Sequence, residues 1–166
     1  MTHTIFRGRG GRTLRTAVAV GAATFGLVAL SACGEKPTPR ATVTVGSDSV
    51  STEAACYEDG EPIGQDRLES CVGDETDTSI TVGQGDMLRI GVDPEIAETG
   101  WVVFLDEQPV VQNPISKTYR SFSSDGLFAQ GGGSAEEAKS VRLTIAETNG
   151  EKFYGTWNFK LERETD

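Results

Sequence analysis

Beyond residue 32 the chain contains no histidine; the single one, His3, lies among the first residues. A Ser-His-Asp or Cys-His unit needs imidazole as its base, so residues 33–166 cannot hold one. Zinc and blue-copper sites built on imidazole fall with it. There is no C-x-x-C pair and no basic residue beside a cysteine pair to hold a thiolate, so redox-active dithiol chemistry lacks its motif. Phosphate-binding loops are missing too. Gly83-Gln84-Gly85 and Gly131-Gly132-Gly133 neither match a P-loop nor open a helix after a strand. Positive charge is scarce, with 15 Lys and Arg against 25 Asp and Glu. Neutralising a phosphate backbone takes a basic surface, so nucleic acid is excluded as a partner. No run reaches the roughly 18–20 strongly apolar residues of a membrane-spanning helix.

What positive charge there is gathers at the start. Arg7, Arg9, Arg12 and Arg15 precede an uncharged, Ala/Gly-rich run from Thr16 to Ala32, which Leu30-Ser31-Ala32-Cys33 closes. A charged beginning, a short apolar middle and small residues before the cut are the marks of an export signal. With cysteine directly after the small residues, the pattern predicts bacterial lipoprotein processing. Residues 1–32 are the signal peptide, Cys33 is the lipidated first residue, 33–40 form a tether and 41–166 a single folded domain. The arginines are nowhere adjacent, which favours the general secretory route over the twin-arginine one. The expected location is the extracytoplasmic face of the cell membrane. Loss of the four arginines leaves 11 basic against 25 acidic side chains, a net charge of −14. Such acidity keeps a protein soluble and self-repelling outside the cell.

The tether, Gly34-Glu35-Lys36-Pro37-Thr38-Pro39-Arg40, spans only about 20–25 Å if extended at ~3.1 Å per residue, which sets the domain close to the bilayer. With Cys33 assigned to lipid, Cys56 and Cys71 remain as a pair in a compartment where disulfides persist. A bridge between them closes a small loop worth about 3 kcal/mol in the chain-entropy picture.

The remaining pattern is that of strands. Ala41–Val45 alternates β-branched residues and ends at Gly46-Ser47-Asp48. Residues 51–77 read as a polar excursion, with one or two helical turns over 65–71 that place Leu68 and Cys71 on one side. Ser79–Val82 leads into Met87–Val92, where Leu88, Ile90 and Val92 share a face. Trp101-Val102-Val103-Phe104-Leu105 is apolar on both faces and is expected near the middle of a sheet. Ser116–Phe122 reads as a further strand. Ser134-Ala135-Glu136-Glu137 has the pattern of a capped helical turn. Val141, Leu143 and Ile145 alternate with polar neighbours. After Asn149-Gly150, a hairpin signal, Phe153, Trp157, Phe159 and Leu161 are expected on one face. About seven short strands without sustained helical periodicity predict an all-β, antiparallel two-sheet sandwich.

Three stretches could carry chemistry. Asp93 can cap a helical turn beginning at Pro94, with Glu95 and Glu98 near its positive end and Gly100 allowing the return into Trp101. The alternative use of those residues is an exposed rim of carboxylates around Trp101. Gly73-Asp74-Glu75-Thr76-Asp77-Thr78 offers clustered oxygens to a hard cation but lacks the spacing of a calcium loop; Tyr57-Glu58-Asp59-Gly60-Glu61 reads as a turn. Trp157 and Tyr154 could form a sugar or peptide platform, but alternation puts Trp157 inside.

The stretches Lys36–Pro39, Ala41–Gly46, Glu53-Ala54-Ala55-Cys56-Tyr57, Gly91–Ala97, Thr118-Tyr119-Arg120-Ser121-Phe122 and Gly155-Thr156-Trp157-Asn158-Phe159, behind the lipobox, resemble a family of uncharacterised actinobacterial lipoproteins known as a domain of unknown function. The resemblance implies a surface lipoprotein and supplies no catalytic residues. More widely, Val82-Gly83-Gln84-Gly85-Asp86-Met87-Leu88 is similar to the inter-strand step of cupredoxin- and immunoglobulin-like sandwiches. Copper would lack its histidines here, and Cys56 and Cys71 both precede Trp101 instead of bracketing it. The expected function is a non-catalytic binding or cell-envelope accessory role, with no cofactor and no metal. Its partners are the membrane, through the lipid, and an envelope component of unknown identity. The alternative is a carboxylate-dependent envelope hydrolase, which needs two carboxylates across a cleft.

Overall fold

Alternation along the chain is answered by strands whose apolar residues all meet in one place. A computed structural model describes residues 36–130 and 139–164. In it β1 (Ala41–Val45) and β2 (Asp48–Thr52) form a tight hairpin over Gly46-Ser47. A two-residue β3 (Cys56–Tyr57) and helix α1 (Gln65–Gly73) follow, then β4 (Ser79–Val82), β5 (Met87–Val92) and the short helix α2 (Pro94–Thr99). The chain continues through β6 (Trp101–Leu105), β7 (Gln108–Pro109), β8 (Tyr119–Ser123) and α3 (Ser124–Gln130) to the long β9 (Ser140–Thr148) and β10 (Phe153–Arg163).

These make two sheets. One runs β2-β1-β5-β8; the other runs β3-β10-β9-β6-β7, with β4 beside the far half of β10. Every pair is antiparallel except β4 with β10, which is parallel. Inward residues of both sheets, among them Val43, Leu88, Ile90, Trp101, Val103, Leu143, Ile145, Trp157 and Phe159, form one buried cluster. Each indole in it is hydrogen-bonded, as a buried Trp requires: Trp157 Nε1 donates to the Pro39 carbonyl and Trp101 Nε1 to that of Lys117, both at 2.7 Å.

The described residues hold ten strands, against about seven expected from the sequence. β2 lies in a stretch read as a turn and an excursion. Its side chains are polar and face largely to solvent, except Val50, which packs against the core. β6 lies one strand from the sheet edge, not near its middle. Its outer face is apolar because Val102 and Phe104 share a shallow recess with Val111, Pro114 and Phe153. The Ser116–Phe122 strand begins only at Tyr119, since Ile115 bridges to Trp101 before the chain turns to β5. Ser134–Ala138 lies outside the described residues.

Phe153 also departs from the expected alternation. The ladder pairs Phe153 with Thr148 but Gly155 with Glu147, so Tyr154 is bulged out. A bulge reverses the side-chain alternation beyond it, and Phe153 packs against Phe104 on the outer face with ring centroids 6.3 Å apart. Gly155 is required there. A Cβ would stand 2.6 Å from the Trp157 ring.

The outer face of β9 and β10 is covered by α1. Cys56 and Cys71 form a disulfide with Cα atoms 5.9 Å apart. Together with Ile63 and Leu68 they make a second small apolar cluster. Beneath it Thr144 Oγ1 donates to Asn158 Oδ1 and Asn158 Nδ2 donates to the Cys71 carbonyl, both at 2.8 Å. These bonds satisfy polar groups that burial would otherwise penalise.

Candidate functional site

In a chain with 25 acidic residues, the run from Gln108 to Ser124 contains none, while it holds Lys117 and Arg120. The fold pins this run in place. Val110 N donates to the Val103 carbonyl, Ile115 and Trp101 exchange backbone hydrogen bonds, and Val92 N donates to the Thr118 carbonyl. Gly100 permits the close approach. Its φ is +109°, and a Cβ there would lie 3.0 Å from both Pro114 Cβ and the Thr148 carbonyl. The indole of Trp101 completes the attachment through Lys117.

β8 then pairs with β5 from Gly91↔Tyr119 to Met87↔Ser123. Thr118 accepts from Val92 and Ser124 donates to Asp86, which fixes the even-numbered residues as the ones bonded to β5. By the antiparallel alternation, the backbone N–H and C=O of Tyr119 and Ser121 and the N–H of Ser123 point away from the sheet, the Ser123 carbonyl opening α3 instead. No strand among the described residues pairs with that side. On the outer face Tyr119 and Met87 are the exposed large apolar side chains, at 51% and 43%, and the Tyr119 hydroxyl is 2.8 Å from Ser121 Oγ. On the inner face Phe122 packs against the core and the Arg120 guanidinium lies over its ring, 5.2 Å from the centroid. Asn113, Pro114, Ile115, Ser116, Lys117, Tyr119, Arg120 and Ser121 line a recess of about 640 Å³, and no carboxylate is among them.

The residues singled out by sequence fall elsewhere. Cys33 lies outside the described residues. Trp101 and Trp157 are fully buried, so neither forms a platform. Asp93 occupies the N-cap position of α2, but its side chain makes no cap; Asp93 Oδ2 accepts from Arg40 N at 2.7 Å and ties the start of β1 to the helix. Glu75 and Asp77 share a recess of about 360 Å³ with Asp106, Arg142 and Lys160. Lys160 is held above its ordinary pKa chiefly by the hydrogen bond and charge of Glu162, then by Asp77 and Glu75. The acidic loop thus faces cations of the same chain, and no metal-binding group of three His, Cys, Asp or Glu occurs among the described residues. Glu58 pairs with Arg67.

One acidic residue was not foreseen. Glu147 lies on the inner face of β9, opposite Trp101 and Gly155 in the ladder, and only 6% exposed. Burial raises its pKa, a Thr99 hydrogen bond opposes the rise, and the Glu95 carboxylate adds to it. Position 147 continues the inward series Val141, Leu143, Ile145, and that parity is the sequence signal for its burial. The absence of acid from Gln108 to Ser124 is the corresponding signal for the β8 edge.

The fold and this edge define a mostly β protein of two sheets with one open, cationic strand. No family model, no curated protein and no solved structure matches the chain.

Proposed function

We propose that this chain is a lipid-anchored extracytoplasmic lipoprotein, held through Cys33, whose folded part is an immunoglobulin-like β-sandwich acting as a non-catalytic binding or envelope-accessory module. The lipobox and the short Pro-rich tether support the anchor. Two sheets contributing to one buried cluster support the sandwich. The resemblance to uncharacterised actinobacterial lipoproteins agrees with the anchor. The observation that carries the binding role is the carboxylate-free recess along the open edge of β8. A partner bound there would lie near the membrane surface. The hydrolase alternative has Glu147 in its favour, a carboxylate of raised pKa within electrostatic reach of Glu95. Glu147 faces Trp101 inside the core and lines none of the recesses described above, so the binding reading is preferred.

The test is a photo-reactive phenylalanine derivative placed at Tyr119 in cells, with Ser49 on β2 as the control position. A discrete cross-linked adduct is expected from position 119 and not from 49. Cys33→Ala should leave unprocessed precursor or release the protein from membranes and diminish the adduct. No adduct at 119 in any growth phase, or equal adducts at both positions, overturns the binding role. Unchanged processing and membrane retention of Cys33→Ala overturns the anchor.

A further inference from the structure

Resting on that binding role, we infer that β8 accepts an extended acidic polypeptide segment as an added strand. Tyr119 and Ser121 each present an N–H and a C=O to the open side and Ser123 its N–H, the Ser123 carbonyl being taken up by the first turn of α3, and this is the arrangement that strand addition uses for affinity. Specificity then comes from alternate side chains on the two faces of the incoming strand. One face meets Tyr119, which is exposed, with Met87 on the same face one strand further in. The other meets Arg120.

Charge selects the partner. Among the described residues no carboxylate pairs with Arg89, Lys117 or Arg120, although the molecule is strongly acidic. Other strand edges are flanked by acid: Asp48 opens β2, Asp77 precedes β4 and Asp106-Glu107 precede β7. At β8 the nearby acid, Asp86 and Asp125, lies beyond the Ser123 end, while the Tyr119 end carries Lys117 and Arg120, cations without a carboxylate partner among the described residues, and it is there that an acidic segment is attracted. A second copy fits less well. Two β8 strands side by side would bring Arg120 and Lys117 of each against the same cations of the other, and like charges across a ladder destabilise it. Lys and Arg on an edge also discourage self-association. An acidic strand turns that same charge into attraction.

The experiment uses the purified full chain and a labelled peptide of alternating glutamate and valine, about nine residues, long enough to cover the strand. Three controls accompany it: alternating lysine and valine, the same acidic peptide N-methylated at alternate residues, and a glutamate homopolymer of equal length. Saturable binding of the acidic alternating peptide is expected, weakening with salt and protecting the amides of Tyr119, Ser121 and Ser123 from exchange. Arg120→Glu should weaken it about tenfold and Arg120→Gln by less, with circular dichroism confirming that each variant is folded. Equal binding by the lysine peptide, the N-methylated peptide or the homopolymer overturns strand addition. So does protection confined to other segments, or a concentration-dependent dimer that protects these same amides. If the peptide fails while position 119 still cross-links in cells, the acidic-strand inference falls and the binding role stands. If both fail, both fall.

Discussion

Glu147 is the residue at which the core is least comfortable. Trp101 faces it across the ladder, its Oε2 atom has no hydrogen-bond partner, and burial lifts its pKa above the ordinary carboxylate value. Between the unfolded and the raised folded value, the native state holds the proton more tightly than the unfolded chain. Stability from this group is therefore fully present below the unfolded value and is lost as pH rises through the folded one. Glu147→Gln removes the charge and keeps a partner for Thr99. Urea unfolding should find the variant more stable than the parent at about pH 7, the gap closing as pH falls below the ordinary carboxylate range. A variant less stable at neutral pH, or a gap independent of pH, would contradict this. The residue's burial was legible in its parity with Val141, Leu143 and Ile145. Phe153 shows the opposite case. Its face is set by a one-residue bulge at Tyr154, which period-2 reading cannot register.

Among the elements, legibility followed burial. β1, β5, β9 and β10 were readable because one face of each is apolar and the pattern repeats every second residue. β2 was missed because Val50 is its single apolar residue, too little for a period-2 pattern; hydrogen bonding to β1 makes it a strand. The parallel pairing of β4 with β10 depends on contacts distant in sequence, which no local pattern encodes. α1 was foreseen with Leu68 and Cys71 on one side, but its role was not. It seals the outer face over Thr144 and Asn158, the latter donating to the Cys71 carbonyl. Cys56→Ser should cost about 2–4 kcal/mol in urea unfolding and speed amide exchange along α1. An unchanged midpoint and unchanged exchange would show that α1 is held without its disulfide.

At the scale of the whole molecule the informative feature is an asymmetry of charge. The chain from Cys33 carries a net of −14, and it places Arg89, Lys117 and Arg120 around a single strand edge. The candidate site was half legible. The sequence offered Trp101 as the centre of an exposed rim and marked Tyr119 only within a stretch of family resemblance. Trp101 instead became a buried support, anchoring Lys117 from within, while Tyr119 reached the surface. The open backbone of β8 was not legible, because which strand ends a sheet is decided by pairing across the fold. Hydrogen–deuterium exchange resolved to single amides, on the protein in native membranes and again after purification, tests the edge most directly. The amides of Tyr119, Ser121 and Ser123 should exchange rapidly in the purified protein and much more slowly in the membranes, with β2 unchanged between the two. Equal rates at those three amides in both preparations would contradict the assignment of β8 as the surface this protein uses.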